Sequence, residues 1–406
     1  MHKNAVCVIT STHHPFDTRI FHKEIYSLTA AGYAVTLIAP VDEPVRIDNG
    51  VSIWGFGRLS SRYARVGNLA AIGRLAIRCD AAVYHVHEPE LLLLLPLLRI
   101  LRPGTRFIYD VHENYADAIM SEEKHWIPKR LKPFIAGFCN GVEKCISHFA
   151  DLVVVAAPDI GHRFKHHRTV VVRNFAPMHC LSAAIADAPA KKSGPIEFVY
   201  TGSLTRTRGI IEIVKAITLL PCDPPITIKM TGWFHDSSLR KEVEALEGFK
   251  RLHFLGRLNR YGEMLDQIAG ARGALVCFHP DPNLDNAVER SNKLFEYMGM
   301  GIPLVISNIP GWADMITENR CGLLVDPMNP SDIAEKLLYL ATHPDEAAAL
   351  GENGRAAVMR QFNWNTEGRA LVEAYQSLLS ETKRPACSSI GAGALPRGGE
   401  SPTGSA

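Results

Sequence analysis

The sequence predicts two doubly wound α/β domains in tandem, and three observations carry that prediction. Short apolar runs of strand length alternate with segments of helical periodicity along most of the chain. The alternation is interrupted once, by a stretch rich in Ala, Pro, Lys and Ser at 183–195. The length, 406 residues, suits two domains at roughly 100–200 residues each.

The first strand is expected at residues 6–10, followed by a polar loop through Arg19. A helix then places Ile20, Ile25, Leu28 and Ala31 on one side and stops at Gly32. Residues 33–39 form the next strand, which completes a strand–helix–strand unit of a parallel sheet. Further strands are expected at 82–86, 106–109 and 152–156. The first domain therefore spans 1–180 and a linker 181–195. The second, 196–365, carries strands at 196–201, 226–231, 252–255, 274–278, 304–307 and 323–325. A helix over 366–383 is expected to be able to return to the first domain. From 384 to 406 apolar periodicity vanishes and Ser, Gly, Pro and Ala dominate, so that tail reads as disordered.

Lys and Arg number 44 against 42 Asp and Glu, a net charge of +2, which gives no global field for nucleic acid. An anionic partner must be met by local clusters. The nine cysteines show neither a CxxC pair nor zinc-ligand spacing and read as reduced thiols of a cytoplasmic protein. The N-terminus fits no secretory signal. The leucine run 91–98 is broken by Pro96 and falls far short of the ~20 residues that span a bilayer. The chain is expected to be cytoplasmic, at most peripheral on a membrane.

Parallel sheets of this kind bind ligands at the carboxyl ends of their strands, so the chemistry is expected in the cleft between domains. Two segments there stand out. Residues 200–209, Tyr-Thr-Gly-Ser-Leu-Thr-Arg-Thr-Arg-Gly, follow a strand and open a helix, where free N–H groups and two arginines, Arg206 and Arg208, suit a diphosphate; a solvated basic turn is the plainer alternative. Residues 291–306 read as a short helix, glycines, then a strand. Lys293 and Glu296 share one face of that helix, which suits either a surface ion pair or a carboxylate accepting ribose hydroxyls. On the other domain His85, His87 and Glu88 follow one strand, and His112 with Glu113 follows the next. His-x-His after a strand is acceptable metal-ligand spacing, and a satisfied core histidine is the plainer alternative. No GxxxxGK[ST] motif occurs, and Gly55-Phe-Gly57 lacks the third glycine of a dinucleotide site.

These segments resemble the nucleotide-sugar site of GT-B glycosyltransferases, in particular glycosyltransferase family 4 of the polysaccharide-assembly type. The resemblance also runs through HHPFDTRIFHKEIYSLTAAGYAVTLIA, HVHEPE, YDVHE, RNF, MTG, HFLGR and GLLVDP. It implies a GT-B fold, two Rossmann-like doubly wound domains facing an interdomain cleft. It also implies a donor site of Gly202, Ser203, Arg206, Arg208, Arg257, Asn292, Lys293 and Glu296. His112 and Glu113 are the catalytic candidates, with His112 toward the transferring sugar, and His14, Asp17 and Arg19 lie toward the acceptor. The chain departs from the family pattern at Ser203, which stands for the usual arginine of the turn. It departs again at Val288, where the first glutamate of a Glu-x7-Glu pair belongs; Glu289 is one residue off. The opening loop carries His13, His14, Asp17 and Arg19 where many relatives have paired glycines.

The implied activity is transfer of a sugar from a nucleotide-diphosphate donor, UDP- or GDP-linked, to a glycan or lipid-linked acceptor in cell-envelope polysaccharide synthesis. Retention of configuration is implied with it. No cofactor and no metal ligand are expected, because no Asp-x-Asp pair lies beside the diphosphate groups. Two alternatives stay open: a nucleotide-sugar epimerase on the same fold, and a non-catalytic nucleotide-sugar-binding subunit. Basic and aromatic residues alternate from Lys124 to Ile135, including Trp126, Lys129, Arg130, Lys132 and Phe134. That pattern suits an anionic membrane surface, with Arg163, Lys165 and Arg168 as a second basic cluster.

Overall fold

A computed structural model of the chain describes residues 4–42, 45–48, 50–57, 67–124, 126–165, 167–186, 195–281, 284–285 and 288–380. The tail expected from 384 and most of the linker, 187–194, lie outside the described residues.

Two open sheets form. The first has eight strands: β1 (Ala5–Ile9), β2 (Ala34–Ala39), β3 (Val45–Asp48), β4 (Val51–Gly55), β5 (Val83–Val86), β6 (Arg106–Val111), β7 (Leu152–Val155) and β8 (Thr169–Val171), in the order β3-β4-β2-β1-β5-β6-β7-β8. All neighbouring pairs are parallel except β3 with β4. The central strands are mostly apolar and buried because helices cover both faces, with His85 in β5 and Asp110 in β6 as buried polar exceptions. Cys7, Ile9, Tyr84, Phe107 and Val153 pack on one side, and Val6, Val8, Ile108, Leu152 and Val154 on the other. β3, β4 and β8 had not been expected. β3 and β4 are antiparallel, and the sequence between them is Asn-Gly, a two-residue combination favoured in tight hairpins.

The second sheet has six strands: β9 (Ile196–Thr201), β10 (Ile226–Thr231), β11 (Leu252–Gly256), β12 (Gly273–Val276), β13 (Leu304–Ser307) and β14 (Gly322–Val325), ordered β11-β10-β9-β12-β13-β14 and wholly parallel. Apolar clusters again cover both faces. The chain order reverses direction between β1 and β5 in one sheet and between β9 and β12 in the other. Such switch points open a crevice at the carboxyl ends of the strands.

Residues 178–186, partly assigned to the linker by composition, form the helix Met178–Ala186, with Leu181 and Ala184 buried in the second domain's core. The last helix, Trp364–Ser380, packs on the first domain. Trp364 Nε1 donates to Ser27 Oγ at 2.8 Å, and Tyr375 Oη lies 2.8 Å from His85 Nδ1. Gly368 permits this crossing, since a Cβ there would stand 2.6 Å from Ser27 Oγ.

Candidate functional site between the domains

After β1 the chain turns through Thr10–Thr18 and enters a wide π-helical turn, Ile20–Ile25. Glu88, just past β5, pins this loop: Thr10 Oγ1 donates to it at 2.5 Å, the Ser11 backbone N–H at 2.9 Å and Thr12 Oγ1 at 2.9 Å. In the same loop His13 Nδ1 lies 3.5 Å from Asp17 Oδ2. Burial works against charging that ring, but the Asp17 carboxylate, with Glu88 and Glu113 behind it, lifts His13 to about 9. Burial would likewise raise Asp17, yet His13 holds it well below the usual carboxylate range.

Beneath the loop lies a buried polar cluster. Arg19 donates to Asp110 Oδ1 at 3.0 Å, to the Val172 carbonyl at 2.8 Å and to Asn174 Oδ1 at 2.8 Å, and its Nε is 2.9 Å from Glu24 Oε1. Removing two carboxylates and a guanidinium from water is tolerated only with this many bonds. Arg19 was expected on the acceptor side, and here the expectation is corrected: all its donors turn inward and it is buried. His14 and Asp17, by contrast, line an open groove between the domains together with Phe16, Trp233, Arg257 and Tyr261. His112 lies at the edge of the cluster, its Nε2 2.9 Å from His87 Nδ1, with its ring beside that of His13. Glu113 is the next residue, half-buried.

The second domain contributes an anion-attracting corner. Gly202 has φ +110°, a conformation side chains rarely adopt, and a Cβ there would stand 3.1 Å from Lys293 Nζ and 3.8 Å from Arg208 Nη1. Lys293 is buried, with its ammonium 4.2 Å above the Tyr200 ring and no hydrogen-bond partner. Burial, and then the Arg208 charge, push its pKa well down. Two cations held together beside a glycine turn, one of them unpaired, suit a phosphate group. Gly209, at φ +68°, starts the helix Ile210–Leu219, and a Cβ there would meet the Cys277 carbonyl at 2.0 Å.

Arg206 does not join that corner, contrary to expectation. Its exposed guanidinium forms a two-pronged ion pair with Glu242 on the helix Ser237–Glu244. Ser203, at the turn, has its hydroxyl 3.3 Å from His235 Nε2. Arg257 lies over the Trp233 ring at 4.8 Å, on the groove wall. Glu296 is buried and accepts from Tyr261 Oη at 2.8 Å, directly behind that wall. Burial raises its pKa, and Lys23 opposes the rise. Asn292 Oδ1 accepts from Lys23 Nζ at 2.7 Å. Glu289 is drawn off by Arg173, 2.8 Å away, and its carbonyl accepts the Asn174 N–H.

Sequence reasoning missed three residues that join the domains. Lys23 reaches from the first domain to Asn292. Ser121 Oγ donates to Asp281 at 2.9 Å. Glu123 accepts from Thr205 at 2.8 Å and Thr207 at 2.6 Å on the phosphate turn. Only Lys23 had a visible signal, a lysine at a position that would otherwise be apolar in its helix.

Comparison with known proteins bears on the fold. Residues 183–357 match the family model described as glycosyl transferases group 1. Over 201 residues, 48% of this chain and 45% of the relative, the chain is 23% identical to a glycogen synthase of Mycobacterium tuberculosis. Over 173 residues, 42% of this chain and 43% of the relative, it is 28% identical to the D-rhamnosyltransferase WbpZ of Pseudomonas aeruginosa. The matches thus span less than half the length of these curated relatives. Among solved structures, a sucrose-phosphate synthase from Thermosynechococcus elongatus superposes with TM-score 0.71 at 18% identity, covering 93% of this chain and 99% of that one. Anabaena Alr3699/HepE in complex with UDP and glucose gives TM-score 0.63 at 13% identity, covering 92% and 99%. These likenesses show the fold: GT-B, two Rossmann-like domains.

Proposed function

We propose that this GT-B chain, whose segment 183–357 matches the glycosyl transferases group 1 model, is a glycosyltransferase. It moves a sugar from a nucleotide-diphosphate donor, UDP- or GDP-linked, to a hydroxyl of a glycan or lipid-linked acceptor. The observation that carries this is the buried Lys293 amino group beside Arg208 and Gly202, which has no hydrogen-bond partner in the protein. A leaving diphosphate meets it and gains charge-assisted hydrogen bonds.

In this reading the groove of Trp233, Arg257 and Tyr261 takes the nucleoside. Ribose hydroxyls reach Glu296 by replacing the Tyr261 hydroxyl. His112 and Glu113 lie toward the reacting sugar, and His14 and Asp17 toward the acceptor. Catalysis is mainly positioning and stabilisation of the developing diphosphate charge. Retention of configuration, membership of glycosyltransferase family 4 and a role in envelope polysaccharide synthesis belong to the same proposal, as does the absence of a metal at the diphosphate.

A peripheral site at the inner face of the cytoplasmic membrane is the final part. No helix among the described residues is long and apolar enough to cross a membrane. The helix Lys132–Ser147 instead exposes Phe134 (77%) and Phe138 (66%), with Val142 one turn on, and Leu97 and Ile100 of the helix Leu95–Leu101 are exposed as well. An apolar stripe of this kind suits the headgroup boundary. The basic contribution is smaller than expected, since Lys132 turns inward to the Ser121 carbonyl at 2.6 Å and Arg163 pairs with Glu143. Lys129 and Arg130 remain at the surface.

A panel of UDP- and GDP-sugars, assayed for nucleoside diphosphate release with and without lipid-linked and free glycan acceptors, tests the reading. Acceptor-dependent release supports it. Donor conversion without any acceptor would favour an epimerase, and binding with no turnover under any condition a non-catalytic subunit.

A further inference from the structure

We propose that Glu24, His85, His87 and Asp110 hold one divalent transition-metal ion inside the N-terminal domain, apart from the diphosphate corner. The four residues come from the π-helical turn after β1, from strand β5 (His85) and the residue that follows it (His87), and from strand β6. All are buried, and one ligand atom from each lies within 4.8 Å of all the others.

The internal spacings fit ligands better than hydrogen bonds. His85 Nε2 is 3.7 Å from Asp110 Oδ2, and His87 Nε2 is 3.8 Å from Glu24 Oε2. Neither is a hydrogen bond. Metal–ligand bonds of about 2.0–2.1 Å place tetrahedral ligands roughly 3.3–3.5 Å apart, so these two pairs close by a few tenths of an ångström, and the most widely spaced ligand atoms, up to 4.8 Å apart, by about 1.3 Å. His85 Nε2, His87 Nε2 and Glu24 Oε2 make no hydrogen bond. Buried lone pairs turned into one space repel one another unless a cation lies among them.

The outward atoms of the same four residues are each supported. His85 Nδ1 is 2.8 Å from Tyr375 Oη, and His87 Nδ1 is 2.9 Å from His112 Nε2. Glu24 Oε1 and Asp110 Oδ1 face Arg19 at 2.9 and 3.0 Å, and Arg19 Nη2 also reaches Asp110 Oδ2 at 3.1 Å. Outer partners of this kind fix the tautomer and orientation of metal-bound histidines and carboxylates. Two imidazoles with two carboxylates select zinc or a neighbouring first-row divalent ion over magnesium, which prefers an all-oxygen shell. The ion would hold His87 with its Nδ1–H toward His112, and so acts as a positioning element beside the candidate catalytic histidine.

The test uses the full chain without a polyhistidine tag, stripped with chelator, loaded with Zn²⁺ or Co²⁺, gel-filtered and analysed for metal. About one ion per chain is expected to remain, with the visible bands of low-symmetry Co²⁺. The His85→Gln/His87→Gln double variant, or Glu24→Gln if the double variant fails to fold by circular dichroism, should retain less than about a tenth as much. The surface pair His148→Gln/His167→Gln should retain all of it. Wild-type protein with no metal above background and no cobalt bands would overturn the proposal and leave Arg19 and a shared proton as the only cations of the cluster. Loss of metal from the surface pair alone would overturn it equally.

Discussion

Glu123 of the N-terminal domain accepts a hydrogen bond from Thr207 of the phosphate turn at 2.6 Å, within the field of Arg208. The N-terminal domain therefore brings a carboxylate to the corner where the proposed donor places its diphosphate, and the two negative groups oppose each other. Glu123→Gln keeps the shape and removes the charge. Donor affinity should rise by about threefold to tenfold, the effect of removing one partly screened like charge, on the order of 1 kcal/mol. Calorimetric titration with UDP and GDP checks this, and weaker binding by the variant would show that Glu123 closes the cleft and does not compete.

Lys293 is a buried ammonium without a partner, a costly arrangement in a folded protein. Its folded pKa lies below its unfolded value, so the unfolded chain holds more protons in that window, and stability from this group rises with pH toward 10.5. Lys293→Met should raise the thermal midpoint at neutral pH, by about 1 kcal/mol or more in stability, and should flatten that part of the pH dependence. A lower midpoint in the variant would contradict the assignment of Lys293 to a ligand.

The His13–Asp17 pair gives the opposite slope. His13 is raised to about 9, so its contribution is complete below the unfolded histidine value near 6.5 and is lost as pH climbs through about 9. Asp17 is lowered, so its contribution is present above about 4 and is lost as pH falls below that. His13→Gln should remove the alkaline loss while leaving the fold intact. Because the ring is partly exposed, the effect is small. A stability profile of the variant parallel to wild type between pH 6.5 and 9 would refute the pairing.

Nucleotide binding should be indifferent to chelation, since Arg208, Lys293 and the turn at Gly202 supply the positive charge at the diphosphate corner. This concerns the donor site alone, and an ion in the N-terminal cluster would not alter it. If UDP or GDP affinity collapses in EDTA and returns with manganese or magnesium, the phosphate chemistry has been placed wrongly.

Phe134→Ser/Phe138→Ser should abolish co-sedimentation with anionic vesicles at low ionic strength while leaving turnover of a soluble acceptor unchanged. Each side chain removes about 1.5–3 kcal/mol of apolar burial. Undiminished sedimentation would exclude the helix Lys132–Ser147 as the contact.

The alternation of apolar runs with helical periodicity made the two sheets legible, because strands buried on both faces are written as mostly apolar runs. The hairpin of β3 and β4 was also written, in Asn49-Gly50, and was overlooked. Met178–Ala186 escaped because its apolar residues lie all round the helix and not along one stripe, and because they run into an Ala-rich stretch that resembles a linker. At the site, the turn glycine could be found from its position after a strand, and Lys293 from the helix face it shares with Glu296. The fates of Arg206 and Arg208 could not: they are two residues apart, and only Glu242, far along the chain, decides that one faces solvent. Arg19 was likewise settled by Asp110 and Glu24, partners that periodicity does not reveal.

The account rests on a nucleoside diphosphate occupying the corner of Arg208 and Lys293, and calorimetric titration of UDP and GDP into wild type, Arg208→Gln, Lys293→Met and Glu296→Gln tests that directly. One nucleotide should bind per wild-type chain. Each folded variant should bind at least about tenfold more weakly, as expected for losing a charged hydrogen bond of roughly 1.5–3 kcal/mol. Wild-type affinity in all three folded variants would contradict the account.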